Sequence, residues 1–189
     1  AWMSAPGLIW SGAAGLFIGW AYSAPPLKFN ARGVGEPCVA AGFSLIAAGT
    51  DLVQRGAFAG LPWIAVLSYA LLVTNLLYIN QFPDRKADES AGKRHWVVRL
   101  GPGRARWGYL VIGLVAYGWL VAAVAAGRLP DFALIALLSA PMTWKAGTHL
   151  VRHATEPRQL EPAIRMTIGA ASVHGLLLAA GLVAAKAAG

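Results

Sequence analysis

Long, uninterrupted apolar runs limit the fold of this chain more than any other feature. Six runs can be distinguished, and most reach the roughly 17 to 25 residues that a helix needs to cross the hydrocarbon core of a bilayer. No segment alternates with the period of two that is expected of a membrane β-strand. The sequence therefore predicts an all-α fold, a polytopic transmembrane helical bundle that forms one domain over residues 1–189. The six predicted spans are Pro6–Tyr22, Gly35–Thr50, Pro62–Phe82, Trp107–Gly127, Phe132–Leu150 and Ile164–Ala185.

The composition agrees with a membrane protein. Only 13% of the residues are charged and 57% are hydrophobic, whereas soluble domains carry about 25% charged residues. The formal net charge of +8 could indicate nucleic-acid binding, but the basic residues lie between the apolar runs and form no contiguous arm. We therefore expect a lipid bilayer, and no nucleic acid, as a partner. The single cysteine, Cys38, excludes an internal disulfide.

The distribution of Lys and Arg predicts the orientation. Alternate loops of the six-span topology carry very different numbers of basic residues. Only Arg55, Arg128 and Lys186 fall on one side, which leaves 13 of the 16 on the other. Because cytoplasmic loops carry the excess of Lys and Arg, we expect the 13-residue side to be cytoplasmic and the first residue to lie outside.

The most polar stretch of the chain, "NQFPDRKADESAGKRHWVVRLG", follows the third span and lies on that cytoplasmic side. Asn80, Asp84 and Asp88 are spaced four apart, so on a helix they stack along one face. Pro83 cannot donate a backbone hydrogen bond, so we expect the membrane helix to kink or end near Phe82 and a new turn to begin with the proline. Two carboxylates and an amide oxygen form a suitable partial shell for Mg²⁺, which leaves positions for water and phosphate.

Spacing alone leaves a second interpretation of the pair open. Asp84 and Asp88 could simply neutralise basic neighbours such as Arg85 or Lys93 at a solvated helix end. The loop "YSAPPLKFNARGVGEP" favours the metal interpretation, because it brings Tyr22, Lys28, Arg32 and Glu36 to the same membrane face. Cations beside a metal-bearing carboxylate pair suit a diphosphate, whose leaving group accumulates negative charge.

Two histidines have different expected surroundings. His174 lies within an apolar span, where an unpaired polar side chain is costly, so we expect it to hydrogen-bond to a neighbouring helix. His95 follows a run of polar residues, and we expect it to belong to the solvated loop.

Both cytoplasmic loops resemble motifs of the UbiA superfamily of intramembrane prenyltransferases. The stretch around Asp84 resembles their second aspartate-rich motif, in the form found in the 1,4-dihydroxy-2-naphthoate prenyltransferases of menaquinone biosynthesis. That pattern is an Asn, then DxxxD, then GK and VRLG, and the segment from Asn80 to Gly101 matches it in register. The loop after Tyr22 resembles the one that runs through prolines to a Gly-x-Gly-Glu step.

This resemblance implies a helical bundle in which two aspartate-rich motifs hold Mg²⁺ and a polyprenyl diphosphate. It implies that Asp84 and Asp88 are catalytic metal ligands supported by Asn80. It further implies that Lys28 and Tyr22 contact the diphosphate, with Arg32 and Lys93 as secondary candidates for the same role. The family also implies an integral protein of the bacterial plasma membrane.

The chain departs from the family pattern in its first helices. Such enzymes have nine membrane helices and an NxxxDxxxD motif in the early ones, and that motif does not occur in this sequence. The family chain starts inside, so an odd number of spans would have to precede Ala1. We therefore expect the chain to correspond to the last six helices, with the first three missing.

The function expected from the sequence is transfer of a polyprenyl group from its diphosphate to an aromatic acceptor such as 1,4-dihydroxy-2-naphthoate. Homogentisate, 4-hydroxybenzoate, a chlorophyllide or a lipid are alternative acceptors. A non-catalytic or split membrane subunit that binds isoprenoid diphosphate is the alternative from a different class, because only one aspartate motif is present.

Overall fold

The protein folds as a bundle of helices, in agreement with the predicted all-α class. The structure is a computed structural model that describes residues 7–57 and 59–188, and every regular element in these ranges is a helix. The helices are α1 (Leu8–Ser23), α2 (Phe29–Arg32), α3 (Gly35–Arg55), α4 (Gly60–Ser90), α5 (Trp96–Leu100), α6 (Pro102–Ala125), α7 (Ala140–His153) and α8 (Glu161–Ala188). Two 3₁₀ segments, Asp131–Ser139 and Pro157–Gln159, flank α7.

Four helices of the described residues, α3, α4, α6 and α8, are each long and apolar enough to cross a membrane. Large apolar side chains cover the outside of the bundle. Leu16, Leu114 and Leu176 are each more than 70% exposed. A continuous apolar exterior is unfavourable in water and suits lipid contact, so the protein is an integral membrane bundle.

The first and fifth predicted spans differ from single long helices. α1 has 16 residues, and Pro6, the predicted start, lies outside the described residues. The fifth span consists of the 3₁₀ segment Asp131–Ser139 followed by α7. Pro141 explains the change of helix type, because it lacks the N–H that an α-helix would direct to Leu137. The Leu137 carbonyl instead accepts a hydrogen bond from Ala140, three residues later.

α4 is the central helix and packs against α3, α6 and α8. The expected end near Phe82 is wrong, because α4 continues for 31 residues with Pro83 in its interior, and a kink at the proline stays a prediction. Ile79 and Phe82 are buried in the core, and their packing outweighs the one hydrogen bond that the proline removes. At 1.5 Å per residue α4 is about 46 Å long, well beyond a hydrocarbon core of about 30 Å.

One face of α4 is fixed by close packing at the end of the bundle that carries α5. The Tyr78 hydroxyl donates a hydrogen bond of 2.7 Å to the carbonyl of Ala105. The Tyr78 ring lies directly over Gly108, where a Cβ would collide with it. Tyr78, Ile79 and Phe82 belong to one buried cluster. Their packing sets the rotation of α4 and thereby the direction of the opposite face.

Candidate functional site

Asn80, Asp84 and Asp88 lie on α4 at successive turns, as the sequence predicted. At 100° per residue Asn80 and Asp84 point away from Tyr78 and Phe82, whereas Asp88 lies about 80° around the helix from Tyr78. Side chains at this spacing have Cβ atoms about 5–6 Å apart. The amide nitrogen of Asn80 donates a hydrogen bond of 2.8 Å to the Leu76 carbonyl, so the group that Asn80 can offer to a ligand is its amide oxygen.

The Asp88 carboxylate is held from two sides by the turn that follows α4. Its Oδ1 accepts a bond of 2.6 Å from Lys93 Nζ, and its Oδ2 lies 3.1 Å from Nε2 of His95. Gly92 has a positive φ of 77°, a conformation that favours glycine, and it reverses the chain so that the Lys93 N–H bonds the Asp88 carbonyl at 2.9 Å. The turn therefore brings Lys93 and His95 into contact with the Asp88 carboxylate.

His95 corrects a sequence prediction. It was expected in the solvated loop, but its side chain is only 2% exposed. Neighbouring polar residues gave no signal of this burial, because it depends on contacts with distant parts of the chain.

Asp84 has different surroundings from Asp88. It is exposed, and within the described residues it takes part in no hydrogen bond or ion pair. Arg85 instead bonds Glu89 at 3.2 Å. Simple charge neutralisation therefore accounts for Asp88, which pairs with Lys93, and leaves the exposed Asp84 carboxylate without such an explanation.

The structure brings the two sequence motifs together at one end of the bundle. The Arg94 N–H donates a bond of 2.7 Å to the Ala31 carbonyl, and the Arg99 guanidinium donates one of 2.8 Å to the Arg32 carbonyl. These bonds join the α4–α5 turn to α2. Lys28 precedes α2 in a left-handed conformation with φ 43°.

The cationic and phenolic candidates differ in their distance from the carboxylates. Tyr22 lies close enough to Glu36, Lys93 and Asp88 for their charges to act on its hydroxyl. The Arg32 guanidinium donates a bond of 2.8 Å to the Pro26 carbonyl in its own loop. Lys28 and Arg32 are exposed. The structure thus joins Lys93 to Asp88 by direct contact, places Tyr22 within range of their charges, and leaves Lys28 and Arg32 as solvent-facing cations on the adjoining loop.

A buried polar pair that sequence analysis missed lies beside this group. The amide of Gln81 donates a hydrogen bond of 2.8 Å to Glu36 Oε1, and both side chains are 8% exposed. The second carboxylate oxygen of Glu36, Oε2, and the amide oxygen of Gln81, Oε1, are buried without a partner among the described residues. Both residues lie within the two polar stretches quoted above, each at the boundary with an apolar run, and this position was visible in the sequence.

An apolar groove of about 400 Å³ opens between α3, α4 and α6. Trp119 closes one side and is anchored by a bond of 2.8 Å from its indole N–H to the Ile64 carbonyl. From Leu67 in the groove to Asp84 the helix rises about 26 Å. An apolar chain could occupy the groove, whose residues are Ala40, Ala41, Ser44, Trp63, Ile64, Leu67 and Trp119.

The donor set at α4 fits part of a Mg²⁺ shell. Asp84, Asp88 and Asn80 offer hard oxygen atoms, the donors that Mg²⁺ prefers, and Mg²⁺ commonly binds through one or two carboxylates plus phosphate oxygens. Within residues 7–57 and 59–188 no cluster of three or more His, Cys, Asp or Glu could hold a metal by itself. The arrangement therefore suits an ion that arrives with a phosphate group.

Comparison with known proteins gives a family match. The model of the UbiA prenyltransferase family matches residues 1–169. The chain is 29% identical over 187 residues to a 1,4-dihydroxy-2-naphthoate octaprenyltransferase of Mycobacterium leprae (strain TN), in a match that covers 96% of this chain. The chain spans 62% of the length of that relative. No solved structure matches it significantly.

Proposed function

The chain belongs to the UbiA prenyltransferase family, and on that basis we propose that it works in the Mg²⁺-dependent transfer of a polyprenyl group from its diphosphate to an aromatic acceptor. In this reaction the bond between prenyl C1 and the diphosphate oxygen breaks, and the diphosphate leaves with the electron pair. The acceptor ring forms a new bond to C1 and then loses a proton.

The arrangement of Asn80, Asp84 and Asp88 on one face of α4 carries this proposal. Three oxygen donors lie in line at the polar end of a membrane-length helix, with Lys93 in contact with the last of them. A bound Mg²⁺ would offset the negative charge of the leaving diphosphate. Asp84 and Asp88 would hold that ion with support from the amide oxygen of Asn80.

The cations around the carboxylates have roles that their positions suggest. Lys93 lies 2.6 Å from Asp88 on a flexible side chain that is 39% exposed, so it can turn from the carboxylate to a phosphate oxygen. Tyr22 can donate its hydroxyl to the same group. Lys28 and Arg32, which are exposed on the adjoining loop, would attract the diphosphate from solution and bind its outer oxygens.

The substrates follow from the same considerations. The apolar tail of the donor needs an apolar path, and the groove beside Trp119 offers one. The matched relative is a 1,4-dihydroxy-2-naphthoate octaprenyltransferase, so we propose the same class of acceptor here. Homogentisate, 4-hydroxybenzoate, a chlorophyllide and a lipid are the competitors to include in a substrate comparison.

The proposed setting is a bilayer with the carboxylates on the cytoplasmic side. Of the 16 basic residues, 13 lie in the predicted loops of that side or in the adjoining ends of the predicted spans, and the positive-inside rule favours this orientation. A bacterial plasma membrane is the proposed location.

The test is turnover by purified protein in detergent or lipid, with radiolabelled prenyl diphosphate and 1,4-dihydroxy-2-naphthoate. Product should form with Mg²⁺ and disappear when EDTA removes it. Asp84→Ala and Asp88→Ala should each reduce turnover by about a hundredfold or more, since a lost ligand weakens charge stabilisation in the transition state. Glu89→Gln is the matched control, because Glu89 is an acid on the same helix that pairs with Arg85.

Two results would count against this assignment. Turnover that persists in the Asp84→Ala, Asp88→Ala double variant would remove the carboxylates from the reaction. Calorimetry that shows Mg²⁺-dependent binding of prenyl diphosphate, without turnover of any acceptor, would favour a diphosphate-binding subunit.

A further inference from the structure

His95 is a buried histidine whose ring contacts the carboxylate side of the proposed site. Its Nε2 lies 3.1 Å from Asp88 Oδ2, and its side chain is 2% exposed. The other ring nitrogen, Nδ1, is buried and has no hydrogen-bond partner among the described residues. Burial of a polar ring is costly unless it is hydrogen-bonded, so the contact with Asp88 is the one that compensates for it.

The backbone on both sides of His95 is anchored. Immediately before it, the Arg94 N–H bonds the Ala31 carbonyl at 2.7 Å. Immediately after it, α5 begins, and the Arg99 N–H bonds the His95 carbonyl at 3.0 Å. The ring is therefore carried by a fixed segment, and its position relative to Asp88 does not depend on a flexible side chain.

Lys93 and His95 hold the same carboxylate in different ways. The Lys93 side chain is long and 39% exposed, whereas the His95 ring is enclosed. A diphosphate that enters the site can draw the Lys93 ammonium away, because phosphate oxygens compete well for it. The His95 ring has no comparable freedom to leave Oδ2. Asp88 would then keep one oxygen on His95 and turn the other towards the incoming ion.

We propose that His95 is a positioning residue for Asp88, which fixes the orientation of the carboxylate so that Oδ1 faces the metal. This inference rests on the proposed function. Partners that hydrogen-bond to ligating groups typically change metal affinity by 10- to 100-fold when they are removed. His95 itself touches neither the ion nor the substrate in this arrangement.

Three substitutions separate this role from simple packing. Glutamine in His95→Gln carries an amide nitrogen at about the reach of Nε2, whereas asparagine in His95→Asn places it near the position of Nδ1. Leucine in His95→Leu fills the space of the ring but carries no hydrogen-bond donor for Asp88. We expect the Mg²⁺ concentration for half-maximal turnover to rise about tenfold or more in His95→Asn and His95→Leu. His95→Gln should recover most of that loss while His95→Leu does not, whereas a packing role would let leucine, which is of similar size, recover it as well.

A second measurement does not depend on turnover. Mn²⁺, used as a paramagnetic substitute for Mg²⁺, can be titrated into the purified protein with inorganic diphosphate and followed by electron paramagnetic resonance. Wild type and His95→Gln should bind Mn²⁺ with similar affinity, and His95→Asn about tenfold more weakly. Thermal unfolding identifies any variant that fails to fold, and if His95→Leu fails, His95→Met, which matches glutamine in length and lacks its amide donor, takes its place.

The possible failures are distinguishable. Equal Mn²⁺ affinity in all folded variants, with wild-type turnover intact, would overturn the role of His95 and leave the proposed function standing. A wild-type protein that neither binds Mn²⁺ with diphosphate nor turns over would overturn both.

Discussion

The Gln81 amide donates a hydrogen bond of 2.8 Å to the Glu36 carboxylate and so joins α4 to α3 through two side chains that are each 8% exposed. A buried carboxylate that loses its donor remains without compensation. We therefore expect Gln81→Leu to lower the free energy of unfolding by about 1–3 kcal/mol. Thermal unfolding in detergent micelles measures the change.

A double-mutant cycle provides the control for this pair. Glu36→Leu combined with Gln81→Leu removes both polar groups, so the double variant should be more stable than the sum of the single effects implies. Strictly additive losses would mean that the two residues act independently.

Asp84 and Asp88 should differ in their effect on stability even though both are proposed ligands. Asp84→Ala removes an exposed carboxylate and should leave the unfolding temperature nearly unchanged. Asp88→Ala leaves Lys93 and the buried His95 without their shared partner, so the free energy of unfolding should fall by about 1–3 kcal/mol. The stabilities of the two variants are compared by thermal unfolding followed by circular dichroism under the same conditions. Equal melting temperatures would contradict the structural role assigned to Asp88.

Gly181 permits the close approach of α8 to the 3₁₀ segment Asp131–Ser139. A Cβ at this position would collide with the backbone carbonyl of Phe132, which cannot move aside as a flexible side chain could. Gly181→Ala should destabilise the protein by about 1–3 kcal/mol, the usual cost of overpacking. Gly118→Ala is the matched control, because no atom lies within 4 Å of its added Cβ. A similar loss in both variants would show that helix contact is not the cause.

His174 is fully buried and links three segments of the bundle. Its Nε2 lies 3.0 Å from Ser68 Oγ on α4, and its Nδ1 lies 3.2 Å from Ser139 Oγ at the end of the 3₁₀ segment that precedes α7. Hydrogen bonds between membrane helices contribute roughly 0.6 to 1.7 kcal/mol each. His174→Leu should therefore lower the free energy of unfolding by about 1–3 kcal/mol, as measured by unfolding in mixed micelles. Leu176→Ala, on the lipid-facing side of α8 with 72% exposure, should cost distinctly less.

The features that the sequence predicted well are those that depend on local pattern. Apolar runs identified the four described helices that are long enough to cross a membrane, and the spacing of Asn80, Asp84 and Asp88 identified their common face, because both follow from the geometry of a single helix. His174 was correctly expected to bond a neighbouring helix, since an apolar run leaves a polar side chain few other partners.

The features that it missed depend on contacts between distant residues. His95 is buried where the neighbouring Arg94 N–H bonds the Ala31 carbonyl, more than 60 positions earlier in the chain, and no local pattern reveals such a contact. The Glu36–Gln81 pair likewise joins residues 45 positions apart. Pro83 was predicted to kink or end the membrane helix, and the structure shows that the helix does not end there.

Because α4 continues through Pro83, a tilt of the helix near one end also moves the residues at its other end. The helical rise from Ala65, which is buried near one end of α4, to Asp88 is about 35 Å. A rigid tilt of about 5° over that length displaces the carboxylates by about 3 Å, enough to make or break a ligand contact. Bilayer thickness is one of the forces that tilt membrane helices. A change in lipid chain length is therefore expected to move the α4 carboxylates together, as one unit, relative to the rest of the bundle.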